Sequence, residues 1–167
     1  MKLKGIVDCD LINYKEPVLT LEFPKCSFKC DALNGKKVCQ NGQLAAAPDV
    51  EISLEQIWNL YKENPITKGF CLQGLEPFDS ELDIYNLIDF IRSGMNCEDI
   101  IVIYTGYNKE EKEKLVEILR GYPNIIVKWG RYIDGNEPHY DELLGVQLAS
   151  DNQYAEKIGY ESTHYQG

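Results

Sequence analysis

The sequence lacks any long apolar run. None of its 167 residues lies in a stretch that approaches the ~20 consecutive apolar residues of a membrane-spanning helix, so no membrane partner is expected. The N-terminus, MKLKGIVDCD, meets charged residues before an apolar segment develops, and no signal peptide is expected. Internal repeats and a Pro-, Gly- or Ser-rich linker are also missing, which favours one domain over residues 1–167. These absences together predict a cytoplasmic, single-domain protein.

Basic residues and histidine are both scarce. There are 17 Lys and Arg against 27 Asp and Glu, which gives a formal net charge of −10. Binding to nucleic acid generally requires a basic surface that displaces counterions, so no nucleic-acid partner is expected. The two histidines, His139 and His164, lie far along the chain from the main cysteine group, and we assign neither a ligand role.

Cysteine, by contrast, is present six times, at positions 9, 26, 30, 39, 71 and 97. In a reducing compartment, thiols persist as core residues, metal ligands or catalytic groups rather than as disulfides. Cys26, Cys30 and Cys39 form a C-x3-C-x8-C pattern, and three close thiolates can hold a soft metal or an iron–sulfur cluster. The spacing alone also permits isolated thiols, or a zinc site that a distant residue completes. The remaining three cysteines are predicted to be small core or surface residues.

Strand-like and helix-like segments alternate along the chain. The predicted strands are Val18–Phe23, 69–73, Ile100–Tyr104, Ile125–Trp129 and 145–149. The helices between them begin at capping boxes, Ser53 with Gln56 and Asn108 with Glu111, or at a cap on Asp79 or Ser80. This alternation predicts an α/β fold with a mostly parallel sheet. A complete eight-fold barrel needs ~250 residues, so the expected architecture is a partial (β/α) barrel.

Four loops are predicted to meet at one edge of this sheet. Ligands of parallel sheets bind beyond the carboxyl ends of the strands. That edge receives the cysteine loop and the segments 74–78, 105–107 and 130–131.

The strand followed by a cysteine loop, with Gly74-Leu-Glu-Pro77 after the next strand, resembles the radical S-adenosylmethionine (SAM) superfamily. Its members carry a C-x3-C-x2-C loop and a Gly-Gly-Glu-Pro turn at these places. Over nearly the whole chain, short motifs in the same order resemble the small activating proteins of anaerobic ribonucleoside-triphosphate reductase: Asp10-Leu-Ile-Asn-Tyr14, Cys39-Gln40-Asn41, Tyr104-Thr-Gly-Tyr107, Gly130-Arg-Tyr132 and Ser150-Asp-Asn-Gln153.

The chain departs from the superfamily pattern at two places. Cys39 follows Cys30 by nine positions instead of three, which is most simply explained by an insertion of about residues 31–36 with a turn at its Asn-Gly pair. The alternative is that only two of the three cysteines bind. Leu75 replaces the second glycine of the turn, which is tolerable if the turn meets its ligand through backbone carbonyls.

The resemblance implies a 4Fe–4S cluster on Cys26, Cys30 and Cys39, with SAM on the fourth iron. A one-electron donor would reduce the cluster, and cleavage of SAM would generate a glycyl radical on a large glycyl-radical enzyme, anaerobic ribonucleotide reductase. The implied SAM contacts are Val38 (adenine), Gly74, Leu75 and Glu76 (methionine), Thr105, Gly106 and Tyr107 (sugar or carboxylate), and Asn152 and Gln153 (adenine).

Simpler interpretations of these segments stay open. Residues 74–77 can form an ordinary turn with Glu76 as a solvated carboxylate, and Thr105-Gly106 can be a plain strand exit. Arg131, Tyr132 and Tyr140 are candidate interface anchors for a protein substrate, or they pack on the last strand. A radical SAM enzyme acting on a small molecule and a zinc-stapled, non-catalytic adaptor are the competing functions.

Overall fold

The computed structural model describes residues 1–39 and 41–161; Gln40 and His164 lie outside this part of the chain. Its strands are β1 (Lys2–Leu3), β2 (Gly5–Asp10), β3 (Val18–Phe23), β4 (Val50–Glu51), β5 (Gly69–Gly74), β6 (Ile100–Tyr104), β7 (Ile125–Trp129), β8 (His139–Asp141), β9 (Val146–Leu148) and β10 (Tyr154–Lys157). Its α-helices are α1 (Lys29–Asn34), α2 (Gly42–Ala46), α3 (Leu54–Glu63), α4 (Glu81–Asp89) and α5 (Glu113–Leu119).

The main sheet contains six strands in the order β10-β7-β6-β5-β3-β2. The four central strands are parallel to one another, whereas β2 and β10 pair with them antiparallel at the two edges. The connections from β5 to β6 and from β6 to β7 each contain one α-helix, whereas the connection from β3 to β5 contains α1, α2, β4 and α3. Crossovers between parallel strands are right-handed in nearly all proteins. The predicted α/β fold with a mostly parallel sheet is confirmed. The sheet is open, because β2 and β10 do not pair with each other.

The segment predicted as a strand at 145–149 forms β9, but it lies outside the main sheet. It pairs with β8 in a separate antiparallel hairpin, in which Asp141 is opposite Val146. Gly145 closes the hairpin with a positive φ of 72° and donates its backbone N–H to Asp141 O at 2.8 Å. Local hairpin pairing therefore replaces the expected parallel pairing. The edge position is taken by β10, which the sequence analysis missed.

The two faces of the main sheet are covered differently. Alternate residues of each strand point to opposite faces. One face packs against α3, α4 and α5 and forms the larger core, which includes Leu21, Phe70, Ile103, Val127 and Trp129. The opposite face carries Val18, Cys71, Val102 and Ile126 and is covered by Tyr14, Leu144 and Leu148. This second layer comes from loops and from the β8–β9 hairpin.

The helix starts follow the sequence signals closely. Both predicted capping boxes, Ser53 with Gln56 and Asn108 with Glu111, are present. The second box opens a 3₁₀ turn, Lys109–Lys112, before α5 begins. Ser80 occupies the N-cap position of α4 without a side-chain cap bond, and a π turn at Phe90–Gly94 ends that helix. Within residues 1–39 and 41–161, no helix has the length and apolar character that crossing a bilayer requires.

Candidate iron–sulfur site

Four loops meet at the carboxyl ends of β3, β5, β6 and β7, as predicted from the order of strands. The backbone ties them together: Glu76 N donates to Lys25 O at 2.7 Å, and Gly130 N donates to Tyr107 O at 3.0 Å. The cysteine loop, the Gly74–Glu76 turn and the two following loops therefore form one continuous surface at this edge.

Glu76 joins two of these loops and is buried, with 6% of its area exposed. Its Oε1 accepts hydrogen bonds from Thr105 Oγ1 at 2.7 Å and from Phe78 N at 3.0 Å, and its Oε2 accepts one from Gly106 N at 2.8 Å. Burial raises the pKa of this carboxyl, and the three hydrogen bonds act against that rise. The interpretation of Glu76 as a solvated carboxylate is wrong.

Gly74 ends β5 in a conformation that favours glycine. Its φ is +101°, and a Cβ added there would lie 2.7 Å from Phe23 N. The Gly74 carbonyl accepts a hydrogen bond from Asn41 Nδ2 at 2.8 Å, just beyond the third cysteine. Leu75, next in the turn, is half-buried and donates its backbone N–H to Phe23 O at 3.2 Å. The turn therefore joins both ends of the cysteine loop to β5.

The Thr105–Tyr107 segment is more than a strand exit. The hydroxyl of Thr105 donates to Glu76 and accepts a hydrogen bond from Tyr107 N at 3.0 Å. A Cβ added at Gly106 would lie 3.4 Å from Glu76 Oε2 and 3.7 Å from Cys30 Sγ. The glycine thus lets the backbone approach a cysteine sulfur closely.

The cysteine loop around Cys26 is held by a contact within the loop and by a contact with the segment that follows β5. Cys26 Sγ accepts a hydrogen bond from Phe28 N at 3.2 Å, and Phe28 adopts a left-handed φ of 50° before α1 begins. One carboxylate oxygen of Asp79 accepts a hydrogen bond from Ser27 N at 2.9 Å, and the other accepts one from the Tyr107 hydroxyl at 2.5 Å. Asp79 is therefore occupied in fixing the cysteine loop rather than in capping α4.

The three candidate ligands, Cys26, Cys30 and Cys39, are half-buried thiols. Burial raises the pKa of Cys26 to about 11, with Glu76 among the contributing carboxylates. Burial also raises the pKa of Cys30, where the backbone of Tyr132 and the charge of Arg131 act in the opposite direction and Cys39 adds to the rise. A metal must displace these thiol protons on binding.

The chemistry of this donor set fits an iron–sulfur cluster, because cysteine thiolates are the usual ligands of such clusters. Cys30 contributes to the raised pKa of Cys26, and Cys39 contributes to the raised pKa of Cys30. A single zinc ion needs four closely grouped ligands, each sulfur about 2.3 Å from the metal. In the described part of the chain, no three His, Cys, Asp or Glu side chains, the three candidate cysteines included, are grouped closely enough to hold one metal ion. The other three cysteines are not part of the candidate ligand set: Cys9 is half-buried, Cys71 is buried in β5, and Cys97 donates a hydrogen bond to Asp99 Oδ2 at 3.2 Å.

The loop after β7 borders the site through Arg131. Its guanidinium forms two hydrogen bonds to Glu111, at 2.7 and 2.8 Å, and lies 5.2 Å from the centre of the Tyr107 ring. Of the three predicted interface anchors, Arg131 is thus paired within the chain and Tyr132 is half-buried, whereas Tyr140 is 56% exposed.

Asn152 and Gln153 lie beside this loop, but their side-chain amides bond within the chain. Asn152 Nδ2 donates to Arg131 O at 2.9 Å, and the buried Gln153 donates Nε2 to Gly130 O at 3.1 Å. Gln153 Oε1 also accepts from the backbone of Ala149 at 3.1 Å. Both residues therefore fix the loop after β7. Val38, predicted to pack on adenine, is half-buried next to Cys39.

Several residues at this edge were missed by the sequence analysis. Asp31 and Asn34 bind backbone groups of the cysteine loop, and their only sequence signal is a polar side chain inside the insertion. Lys128 points to the loop-covered face of β7, where its buried ammonium donates to Gly130 O at 3.0 Å. Burial lowers the pKa of Lys128 to about 8. A lysine within an otherwise apolar strand was the available signal.

Comparison with known proteins supports the metal chemistry. No curated protein and no solved structure shows a significant match to the chain. A family described as the 4Fe-4S single cluster domain, which is found in radical SAM-related proteins, matches residues 18–147. That range begins at β3, includes all three candidate ligands and ends in β9. Because the match covers well over half of the sequence, the chain belongs to the 4Fe-4S single cluster domain family.

Proposed function

We propose that this protein is a radical SAM activase: a partial (β/α) barrel that binds a 4Fe–4S cluster through Cys26, Cys30 and Cys39 and cleaves SAM reductively. Family membership supports the cluster. The observation that carries the rest of the proposal is the hydrogen bonding of Glu76 to the loop after β6, at the edge where the cysteine loop also lies. This arrangement brings the superfamily-like motifs together on one surface.

The bound cluster would supply one electron to SAM, releasing methionine and a 5′-deoxyadenosyl radical. The protein's part is to bind and orient the cofactor and to exclude water. Glu76 fixes the distance between two loops, while Gly74 and Gly106 allow close approach of the backbone. The methionine end of SAM would then meet backbone atoms at positions 74–76, because the Glu76 carboxylate is already occupied.

The other predicted contacts take corresponding roles. The hydroxyl of Thr105 is paired on both sides, so Thr105 and Tyr107 hold the shape of the loop that faces the sugar or the carboxylate. The amides of Asn152 and Gln153 hold the Gly130–Arg131 backbone, and we propose that these two residues border the adenine. Val38 remains the apolar residue proposed to pack on adenine.

We propose that the substrate is a backbone glycine of a large glycyl-radical enzyme, anaerobic ribonucleotide reductase, and that a separate one-electron donor reduces the cluster. The sheet is open, and its second face is filled by Tyr14, Leu144 and Leu148. The site lies at an edge of this open sheet, where a docked loop of the partner would cover it and exclude water. Six unpaired cysteines fit a reducing cytoplasm.

Anaerobic reconstitution with iron and sulfide tests the cluster. We expect near-stoichiometric cluster in the wild type and its loss in Cys26→Ala, Cys30→Ala and Cys39→Ala, because each change removes one of three ligands. Cys9→Ala and Cys97→Ala are matched controls and should keep their iron. Zinc in place of iron in anaerobically purified protein would support the adaptor. Full iron in Cys39→Ala would mean that another residue is the third ligand.

The reaction is tested with reduced, reconstituted protein and SAM. We expect 5′-deoxyadenosine and methionine, and a glycyl-type doublet in the electron paramagnetic resonance spectrum once a co-encoded anaerobic reductase is added. An intact cluster that yields no 5′-deoxyadenosine would reject the enzyme. Consumption of a small molecule in step with SAM, without any glycyl signal, would support the small-molecule alternative.

A further inference from the structure

The eight residues between Cys30 and Cys39 form the insertion, a loop whose two ends are held together by hydrogen bonds. Asp31 Oδ1 accepts two backbone hydrogen bonds, one from Val38 N and one from Cys39 N, both at 2.8 Å. One carboxylate oxygen thus joins the residue after the second candidate ligand to the amide of the third.

The middle of the insertion is fixed by a separate set of contacts. Asn34 Nδ2 donates to Cys30 O at 2.7 Å and to Tyr132 O at 3.1 Å, and Asn34 Oδ1 accepts a hydrogen bond from Asp134 N at 2.8 Å. Gly35 ends α1 with a positive φ, and Lys36 forms an ion pair with Asp134. These contacts dock the insertion on the loop after β7 but do not reach Cys39.

Asp31 has no other evident task in the described part of the chain. It forms no ion pair there, although Lys29, Lys36 and Lys37 lie nearby in sequence. It belongs to the first turn of α1, but its acceptor oxygen is used by amides outside that helix. Hydrogen bonds from backbone N–H groups to a carboxylate are among the stronger kinds in proteins.

We infer that Asp31 is a positioning residue that preorganises Cys39 as the third ligand of the cluster. These hydrogen bonds fix the backbone of Cys39 next to Cys30 in the metal-free protein. The two cysteines therefore stay close to each other although eight residues separate them in sequence. The entropic cost of closing a loop grows only slowly with its length, so the two hydrogen bonds to Asp31 are sufficient to hold the ends of the longer insertion together. The inference rests on the proposed function only in taking Cys39 as a ligand.

The first measurement uses the metal-free protein. We expect Asp31→Ala to raise the hydrogen-exchange rate of the Val38 and Cys39 amides at least tenfold, while the amides of β5 keep their rates. Asp31→Asn should be intermediate, because an amide oxygen can still accept these hydrogen bonds. Asp8→Ala, which removes an exposed carboxylate on β2, is the matched control.

The second measurement follows cluster loss. After anaerobic reconstitution, an iron chelator should strip the Asp31→Ala protein at least tenfold faster than the wild type, with Asp31→Asn between them and Asp8→Ala unchanged. If Asp31→Ala does not fold, judged by circular dichroism, the Asn variant decides the question.

The outcomes separate this inference from the proposed function. If the wild type assembles its cluster and the Asp31 variants match it in both exchange and chelation, the inference is overturned and the function stands. If the wild type assembles no cluster, the proposed function fails. The exchange measurement on the metal-free chain then still shows whether Asp31 fixes Cys39.

Discussion

Gly74→Ala is the substitution whose effect the structure defines best. The φ of Gly74 is +101°, and an added Cβ would lie 2.7 Å from Phe23 N and 2.8 Å from Glu22 C. Both atoms belong to the backbone of β3, which is paired with β5 at this point. They cannot rotate away as a side chain could. Relief would require the end of β3 to move, and that end leads directly into Cys26.

The expected cost has two parts. The left-handed conformation costs a residue with a Cβ about 1–2 kcal/mol, and overpacking against fixed atoms costs about 1–3 kcal/mol more. The sum is about 2–5 kcal/mol, which for a chain of this size lowers the melting temperature by about 4–20 °C. We also expect weaker cluster retention, because the displaced backbone holds the cysteine loop.

Gly135→Ala separates the two parts of this cost. Gly135 has a positive φ of 86°, but no atom lies within 4 Å of its added Cβ. Its substitution should cost only the conformational part, about 1–2 kcal/mol. The assay is thermal unfolding of both metal-free variants, followed by circular dichroism under reducing conditions. Equal melting temperatures for Gly74→Ala and Gly135→Ala would refute the close backbone contact.

Three further predictions concern the side chains around the site. Glu76→Ala should destabilise the metal-free protein in urea by about 1–3 kcal/mol for each buried donor left without a partner; an unchanged midpoint would mean that the carboxylate is not engaged. Gln153→Ala should cost about 1–3 kcal/mol because the backbone amides of Ala149 and Ser150 lose the Gln153 Oε1 acceptor, whereas the Gly130 carbonyl keeps its hydrogen bond from Lys128. A change confined to SAM affinity would instead favour an adenine contact. The hydrogen bond from Arg131 lowers the pKa of Glu111 to about 2, below its value in the unfolded chain. The ionised Glu111 carboxylate therefore stabilises the fold above about pH 4, and this contribution is lost as the pH falls towards 2. The stability gap between wild type and Glu111→Gln should therefore close over that range, and a gap that is independent of pH would contradict the ion pair.

The central strands and helix starts could be predicted because their signals are local. A buried parallel strand is a continuous apolar run, and a capping box is a pair of residues three positions apart. The two short helices on either side of Cys39 give no such signal, since neither α1 nor α2 buries a residue. The edge strands were missed for a related reason: β2 is largely exposed or half-exposed, and β10 contains no buried residue.

The position of the site followed from strand order, but its internal bonding did not. The carboxyl ends of parallel strands share one edge, so the four loops had to meet there. The partners of each side chain are set by tertiary packing. Thr105 reaches Glu76 across 29 residues, and Asn34 reaches Tyr132 across 98. Sequence spacing carries no information about such pairs, so the hydrogen bonds that the Asn152 and Gln153 amides form within the chain could not be predicted from it.

The two departures from the superfamily pattern both have a local structural solution. The described non-glycine residues with positive φ are Phe28, Asn96 and Asn124, so Leu75 has an ordinary backbone conformation and needs no glycine. The preceding position, Gly74, has both a positive φ and a close backbone neighbour. Of the two glycines in a Gly-Gly-Glu-Pro turn, packing in this chain therefore requires only the first. At the insertion, the Asp31 carboxylate compensates for the longer spacing, because its hydrogen bond to the Cys39 amide keeps the backbone at Cys39 close to Cys30.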